Sequence, residues 1–436
     1  MIHRSDRSAD VAPPLGRARR LVDPRFGPVL GAYRQRLGGA EPPWWLCTTR
    51  LARFPIGSLH NETVPSSAGT SLDPNEAAAR AIGEALERYC GLNTTVATVK
   101  ASLREGGLLG RWPICAADEA CIPSYRFLPT EVPLTQVWAR RLSDGTRVLV
   151  PSGFVCLGFK PVPPEPPITL PISTGLAFHP ELHQALWRAL CEVVERDAVM
   201  SFWWIHRSVP EIELVGAPHI VSNRIERLSE RGMTARLYDI STELEIPTVF
   251  CVLSAARYPQ LAVSAATRAC PAAACAKALD EVVSLRVALQ AEAMGPGGGG
   301  STSDRTDAIP VTLVDHARRY ASGDRDGAFD FLSAADRPRV PYSRFAERAI
   351  SEPCDMEALA RTAQRLERSD VSILWVDVTA PEVRELGATV RVVVPELIPM
   401  SPDDNVRWLG TARLLRRAGV ATAAKSAFTK HPHPFA

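Results

Sequence analysis

One short pattern occurs three times in this chain. Residues 80–88 read R-A-I-G-E-A-L-E-R and residues 188–196 read R-A-L-C-E-V-V-E-R, with every position shifted by 108. Residues 277–286 read K-A-L-D-E-V-V-S-L-R, a weaker copy that keeps the leading glutamate 89 residues after the second one. Each copy is preceded by a proline, Pro74, Pro180 or Pro271, at a place suited to the first position of a helix. Asp73, with Glu76 three residues on, supplies an N-cap for the first copy, while Gly91 and Gly295 are expected to stop the first and third helices. Residues three and four apart share a helix face. Glu84, Glu87 and Arg88 therefore project together, as do Glu192, Glu195 and Arg196, and Glu281 takes the leading place in the third copy.

A single face of this kind is ordinarily a solvated set of glutamate–arginine pairs. Three related faces packed side by side would instead gather five carboxylates and several arginines. Carboxylates that close repel one another unless cations neutralise them. Hard oxygen donors suit Mg²⁺, which binds through a few carboxylates and completes its shell with phosphate oxygens. Neighbouring arginines take phosphate oxygens bidentately. The expectation is a magnesium–nucleotide site made from helix faces.

Composition narrows the alternatives. The chain has 436 residues, 46% hydrophobic and 22% charged, which suits a soluble globular enzyme. A net charge of +2 without a long basic run argues against nucleic-acid binding. Residues 1–20 carry five arginines and no apolar run, so they read as a flexible N-terminus, neither signal peptide nor membrane span. Ten cysteines without a C-x-x-C are expected to be mostly buried reduced thiols of a cytoplasmic protein.

Along the chain, residues 66–71 (S-S-A-G-T-S) read as a small polar turn before the first helix. Residues 136–139 and 147–150 flank S-D-G-T as a hairpin, and 148–159 continue as apolar strand. Residues 234–239, 248–253, 261–265, 373–378 and 389–395 read as strands, and 172–177 (I-S-T-G-L-A) lead into the second helix. Strand, turn and helix in repetition predict a mixed α/β fold with helices packed on sheets. Residues 295–304 are a flexible glycine-rich loop without the Gly-Lys-Ser/Thr ending of a phosphate loop. His316 reads as a surface or capping residue on a helix. The chain ends K-H-P-H-P-F-A over residues 430–436, a tail that its prolines stiffen.

E-A-L-E-R, E-V-V-E-R-D at 192–197, S-T-G-L-A at 173–177 and the terminal P-H-P-F together resemble the YcaO superfamily over residues 20–436. Later segments, D-V-T-A-P at 377–381 and V-R-V-V-V-P at 390–395, look like its azoline-forming branch, which modifies ribosomally made peptides. The resemblance implies a single domain over 21–436 with an ATP/Mg²⁺ site lined by three motif helices. Glu84, Glu87, Glu192, Glu195 and Glu281 would hold Mg²⁺, and Arg80, Arg88, Ser173, Arg196 and Arg286 would contact ATP. Pro432 and Pro434 would bring the Ala436 carboxylate to the active site as acid/base.

The implied activity is an ATP-dependent cyclodehydratase. Cys, Ser or Thr of a precursor peptide attacks the preceding carbonyl, the oxygen is phosphorylated, and loss of phosphate leaves a thiazoline or oxazoline. With only about 60 residues before the first motif helix, a separate leader-binding partner resembling ubiquitin-activating enzymes (ThiF-like) is expected. A homodimer and a flavin-dependent azoline dehydrogenase are also implied. Thr70, Arg80 and Ser284 depart from the family pattern. Thioamide or amidine formation, or a non-hydrolysing scaffold subunit, are the alternative readings.

Overall fold

Each of the three repeated segments lies in a long helix that follows directly on a strand. The computed structural model describes residues 21–25, 27–52, 66–294, 309–324, 326–333 and 337–436; the expectations for residues 1–20 and 295–304, and for Gly295, fall outside them.

In chain order, β1 (Val29–Arg36), β2 (Trp45–Leu51) and β3 (Ser66–Ser71) lead into α1 (Pro74–Leu92). Then come β4 (Thr98–Ala101), the short α2 (Pro123–Arg126), β5 (Leu134–Arg141), β6 (Arg147–Pro151) and β7 (Leu176–His179), which feeds α3 (Leu182–Ile205). β8 (Glu211–Glu213), α4 (His219–Ser229), β9 (Met233–Asp239), β10 (Thr248–Ala255) and β11 (Leu261–Thr267) precede α5 (Pro271–Ala293). The last third holds α6 (Leu313–Tyr320), β12 (Arg339–Pro341), α7 (Tyr342–Ala346), α8 (Met356–Glu367), β13 (Leu374–Asp377), β14 (Ala388–Val393) and α9 (Ala412–Ala418).

The strands form three sheets, ordered β1-β2-β3, β11-β10-β9-β8-β12 and β4-β5-β13-β14-β7, with β6 added on β5. This is the mixed α/β architecture that the alternation of strands and helices predicts. β7, β11 and β3 each lie at an edge of their sheet. α1 packs on β3, α5 on β11, and α3 against β7 and β14 of one sheet and β10 and β11 of another. Held between two sheets, α3 buries Trp187, Trp203 and Trp204 along with most of its length.

Several local expectations are corrected. Residues 66–71 are a strand, paired antiparallel with β2. Their small side chains serve close packing on α1: a Cβ on Gly69 would sit 2.4 Å from the Ala77 carbonyl. Gly91 lies inside α1, which ends at Asn93. Pro74 and Pro271 are at helix starts, but Pro180 precedes the N-cap Glu181. β6 stops at Pro151 and turns into a 3₁₀ segment, Ser152–Phe154. All ten cysteines are free, six of them buried. Among the described residues no helix is long and apolar enough to cross a membrane.

Candidate functional site

Four motif glutamates are anchored by backbone amides, in a regular relay. The Ala68 N–H in β3 donates to Glu84 (3.2 Å) and the Phe178 N–H in β7 to Glu87 (3.0 Å). The Gly175 N–H, just before β7, donates to Glu192 (2.9 Å), and the Thr267 N–H at the end of β11 to Glu195 (3.0 Å). The leading glutamate of each full copy is thus held by the strand before its own helix, and the second by the strand before the next motif helix. In the third copy the second place is Ser284, and no later strand–helix unit of this series follows it. Gly175 is required here: its φ is +84°, and a Cβ would lie 2.3 Å from the Val392 carbonyl and 2.9 Å from Val193.

The carboxylates act on one another. Loss of water around Glu87 pushes its pKa up to about 8, an effect opposed by the Phe178 N–H and reinforced by the charges of Glu192 and Glu84. Burial also raises Glu192, against the lowering effects of Arg196, the Gly175 N–H and Arg391. Negative charge is thereby crowded in a place where a cation would relieve it.

Cations stand beside them in a repeated pattern, of which the family resemblance implies only Arg80 as a nucleotide contact. The residue four before each leading glutamate is Arg80, Arg188 or Lys277, one turn back on the same face. Burial takes Lys277 down to about 7, helped by the charges of Arg268 and Arg80 and resisted by Glu195 and Glu192. Arg188 acts on Glu87, and Arg268 feels Glu195 and Arg80. Arg268, just after β11, stands in no motif, and Arg391, in β14, lies in the V-R-V-V-V-P segment without a role assigned to it.

The other expected residues divide. Arg196 lies 3.7 Å from both Glu192 and Glu195, and its buried Nε has no hydrogen-bond partner. Arg88 pairs with Glu84 at 2.5 Å, and Glu281 pairs with Lys277. Ser173 is exposed in the turn before β7. Arg286 is corrected: it is fully buried, its guanidinium is taken by Glu41 at 2.8 and 3.0 Å and by carbonyls of residues 257–259, and it is not brought to the cluster. Arg80 joins Asp280 (2.8 Å), Glu76 (2.6 Å) and the Thr70 carbonyl, fastening α1 to α5; only its charge faces the site.

The tail is built into the core. Pro432, His433, Pro434 and Phe435 are buried and Ala436 is exposed. Phe435 packs on Phe250, Tyr320 Oη donates to the Pro432 carbonyl (2.6 Å), and Trp203 Nε1 donates to that of His431 (3.1 Å). Trp204 of α3 lies 6.0 Å from the His433 ring, so the tail runs along the C-terminal end of the second motif helix. His316 is buried, not a surface residue. Its ring stacks on His433 with centroids 3.7 Å apart, and its Nδ1–H donates to the His433 carbonyl. His433 in turn donates through Nε2 to the Ser401 carbonyl at 2.7 Å.

Burial lowers both imidazoles, His316 to about 4 and His433 well below its ordinary 6.5. A base whose folded-state pKa is depressed contributes stability above its unfolded value that is lost as pH falls toward the folded one. Tail anchoring is therefore expected to weaken between pH 6.5 and 4, read as a falling melting temperature and a change in fluorescence of Trp204, 6.0 Å from His433. The double variant His316→Phe, His433→Phe should flatten that slope. A melting temperature constant across the window would exclude the pair as an acid-labile element.

Mg²⁺ with a nucleotide fits these residues. The donors are hard carboxylate oxygens, two of them raised by burial, and Arg196 Nε is a buried donor without an acceptor. Among the described residues no three acidic, His or Cys side chains form a ready-made metal cluster.

Comparison with known proteins identifies the family and the fold. The family model described as "YcaO cyclodehydratase, ATP-ad Mg2+-binding" matches residues 68–398. The chain resembles a heterocyclase solved in complex with substrate and cofactor, at TM-score 0.77 and 18% identity over 97% of this chain and 57% of that one; it thus spans little more than half of that structure's length. It also resembles YcaO from Methanopyrus kandleri bound with AMPPCP and Mg²⁺ (TM-score 0.59, 19% identity, 87% of this chain and 88% of that one). The E. coli microcin synthetase McbBCD complex matches at TM-score 0.55 and 15% identity, over 84% of this chain and 88% of that one. These identities speak to the fold alone. No curated protein matches the chain.

Proposed function

As the chain belongs to the YcaO family, whose model is that of an ATP- and Mg²⁺-binding cyclodehydratase, we propose that it forms azoline rings in a ribosomally made precursor peptide. The observation that carries this reading is the amide-anchored carboxylate relay of α1 and α3, faced by Arg188, Lys277 and Arg268. Glu84, Glu87, Glu192, Glu195 and Glu281 would hold Mg²⁺, and the cations, with Arg196 and Arg88, would hold phosphate oxygens. Bound Mg²⁺–ATP supplies the phosphoryl group that makes an amide oxygen a good leaving group.

The protein's own work is positioning and charge balance. The strand amides fix the glutamates before any ligand arrives. The cations four residues before the leading glutamates offset the added negative charge. The tail, fixed by Tyr320, Trp203 and Ser401, would present the Ala436 carboxylate as acid/base. A separate leader-binding partner, and a dehydrogenase acting on the rings, complete the proposal.

The experiment is mass spectrometry of a precursor peptide incubated with the protein, a leader-binding partner, Mg²⁺ and ATP, with phosphate release followed in parallel. Loss of one water per ring in step with phosphate is expected. Exchange of oxygen for sulfur would indicate thioamide formation instead. Unchanged peptide without phosphate release, with leader binding verified, would overturn the enzyme reading.

A further inference from the structure

A second feature adjoins the carboxylate relay and shares Arg196 with it. Between α3 and β14 lies a cavity walled by Val193, Trp112, Phe154 and Ile398, with Thr174 also at its wall and Arg196 and Arg391 as its charged residues. Trp112 and Phe154 stack with centroids 4.6 Å apart and make one apolar wall. Arg391 is 5% exposed; its Nε donates to the Phe154 carbonyl at 2.9 Å, which fixes the guanidinium plane, while its buried Nη1 has no acceptor. The protein thus keeps a buried, oriented, charged donor unsatisfied at the wall of an apolar cavity. Such a group is costly unless a ligand supplies the acceptor.

The charges around it choose the acceptor. Arg391 and Glu192 act on each other, and Arg196 lies between Glu192 and Glu195. Arg391 already has Glu192 as its counter-charge, so its unpaired Nη1, beside the apolar wall, fits a neutral oxygen better than a further anion. A peptide backbone carbonyl has that chemistry. Its place beside Glu192 puts it next to the proposed nucleotide site.

We propose that this cavity receives the peptide segment being modified and that Arg391 Nη1 donates to the carbonyl oxygen under attack, which makes Arg391 a catalytic residue; this rests on the function proposed above. In the step concerned, the substrate thiol or hydroxyl forms a C–S or C–O bond to the carbonyl carbon and gives its proton to the Ala436 carboxylate proposed above as acid/base. The carbonyl π pair moves onto oxygen, where the Arg391 N–H meets the developing negative charge. The Phe154 carbonyl holds the donor still, so no reorganisation is needed as charge develops.

The test compares wild type with Arg391→Met and with Thr174→Phe, which crowds the cavity and leaves both arginines. Three quantities are measured: calorimetric affinity for Mg²⁺ with an ATP analogue carrying a non-hydrolysable β–γ link; binding of a capped, leaderless Gly-Cys-containing peptide by saturation-transfer NMR; and ring formation with the partner present. Arg391→Met should lower ring formation about 10²-fold or more, as loss of one oxyanion donor does, and weaken peptide binding, with nucleotide affinity within about threefold (~0.7 kcal/mol). Thr174→Phe should weaken the peptide and spare the nucleotide. A tenfold loss of nucleotide affinity in Arg391→Met with unchanged peptide binding would make Arg391 a phosphate ligand and overturn the proposal. So would peptide binding unaffected by both variants, or absent in wild type. Arg391-dependent peptide binding without ring formation by wild type would sink the cyclodehydratase reading and leave the cavity assignment standing.

Discussion

Glu192→Gln should reduce ring formation by at least 10²- to 10³-fold, the loss seen when one preorganised charge-stabilising group is removed, with the fold intact. The change preserves volume and leaves an oxygen to accept the Gly175 N–H, now 2.9 Å from the carboxylate. It removes the charge that Arg196 and Arg391 face. Because burial already opposes ionisation of Glu192, neutralising it relieves repulsion with Glu195, and the melting temperature should hold or rise slightly. Peptide mass, phosphate release and calorimetric unfolding read the three effects. Normal ring formation would refute a metal role for Glu192. Equal loss of activity and stability would make it structural.

The second large effect is on stability. Asp280 is fully buried and accepts from Trp44 Nε1 (2.7 Å), Arg224 Nε and Nη2 (2.8 and 3.0 Å) and Arg80 Nη1 (2.8 Å). One carboxylate thereby joins the segment before β2, α1, α4 and α5. Asp280→Ala strands the nearly buried Arg224 without its counter-charge, and breaking such a pair from one side costs about 3–5 kcal/mol. Urea unfolding should show that loss, with a smaller one for Asp280→Asn, which retains an acceptor for Trp44. A change below about 1 kcal/mol would place the pair in the class of exposed, weak ion pairs.

The repeats made α1, α3 and α5 legible in the sequence because helix faces follow a local period, and the glutamates come with them. Arg391 could not be read the same way. It reaches Glu192 only because β14 pairs with β7 in a register that sets Arg391 opposite Leu176, a contact more than two hundred residues long. Arg268 owes its position to β11 in the same manner. Residues 66–71 were misread because Ser, Ala and Gly resemble a turn, whereas β3 needs them to lie against α1. Arg286 carries the motif spacing, but Glu41, far away in sequence, claims its guanidinium. His316 resembled an ordinary helix-surface residue until the tail covered it.

The relay of amides has a consequence for how the chain could be divided. Glu87 depends on a strand that is made almost a hundred residues after it, and Glu195 on one made about seventy residues after it. Every cut between the motif helices divides the carboxylates of the cluster between the two pieces, and every such cut before the end of β11 also separates a glutamate from the amide that holds it. The carboxylate relay alone spans β3 to α5, and with Arg391 in β14 and the Ala436 carboxylate a minimal catalytic piece would run from β3 to residue 436.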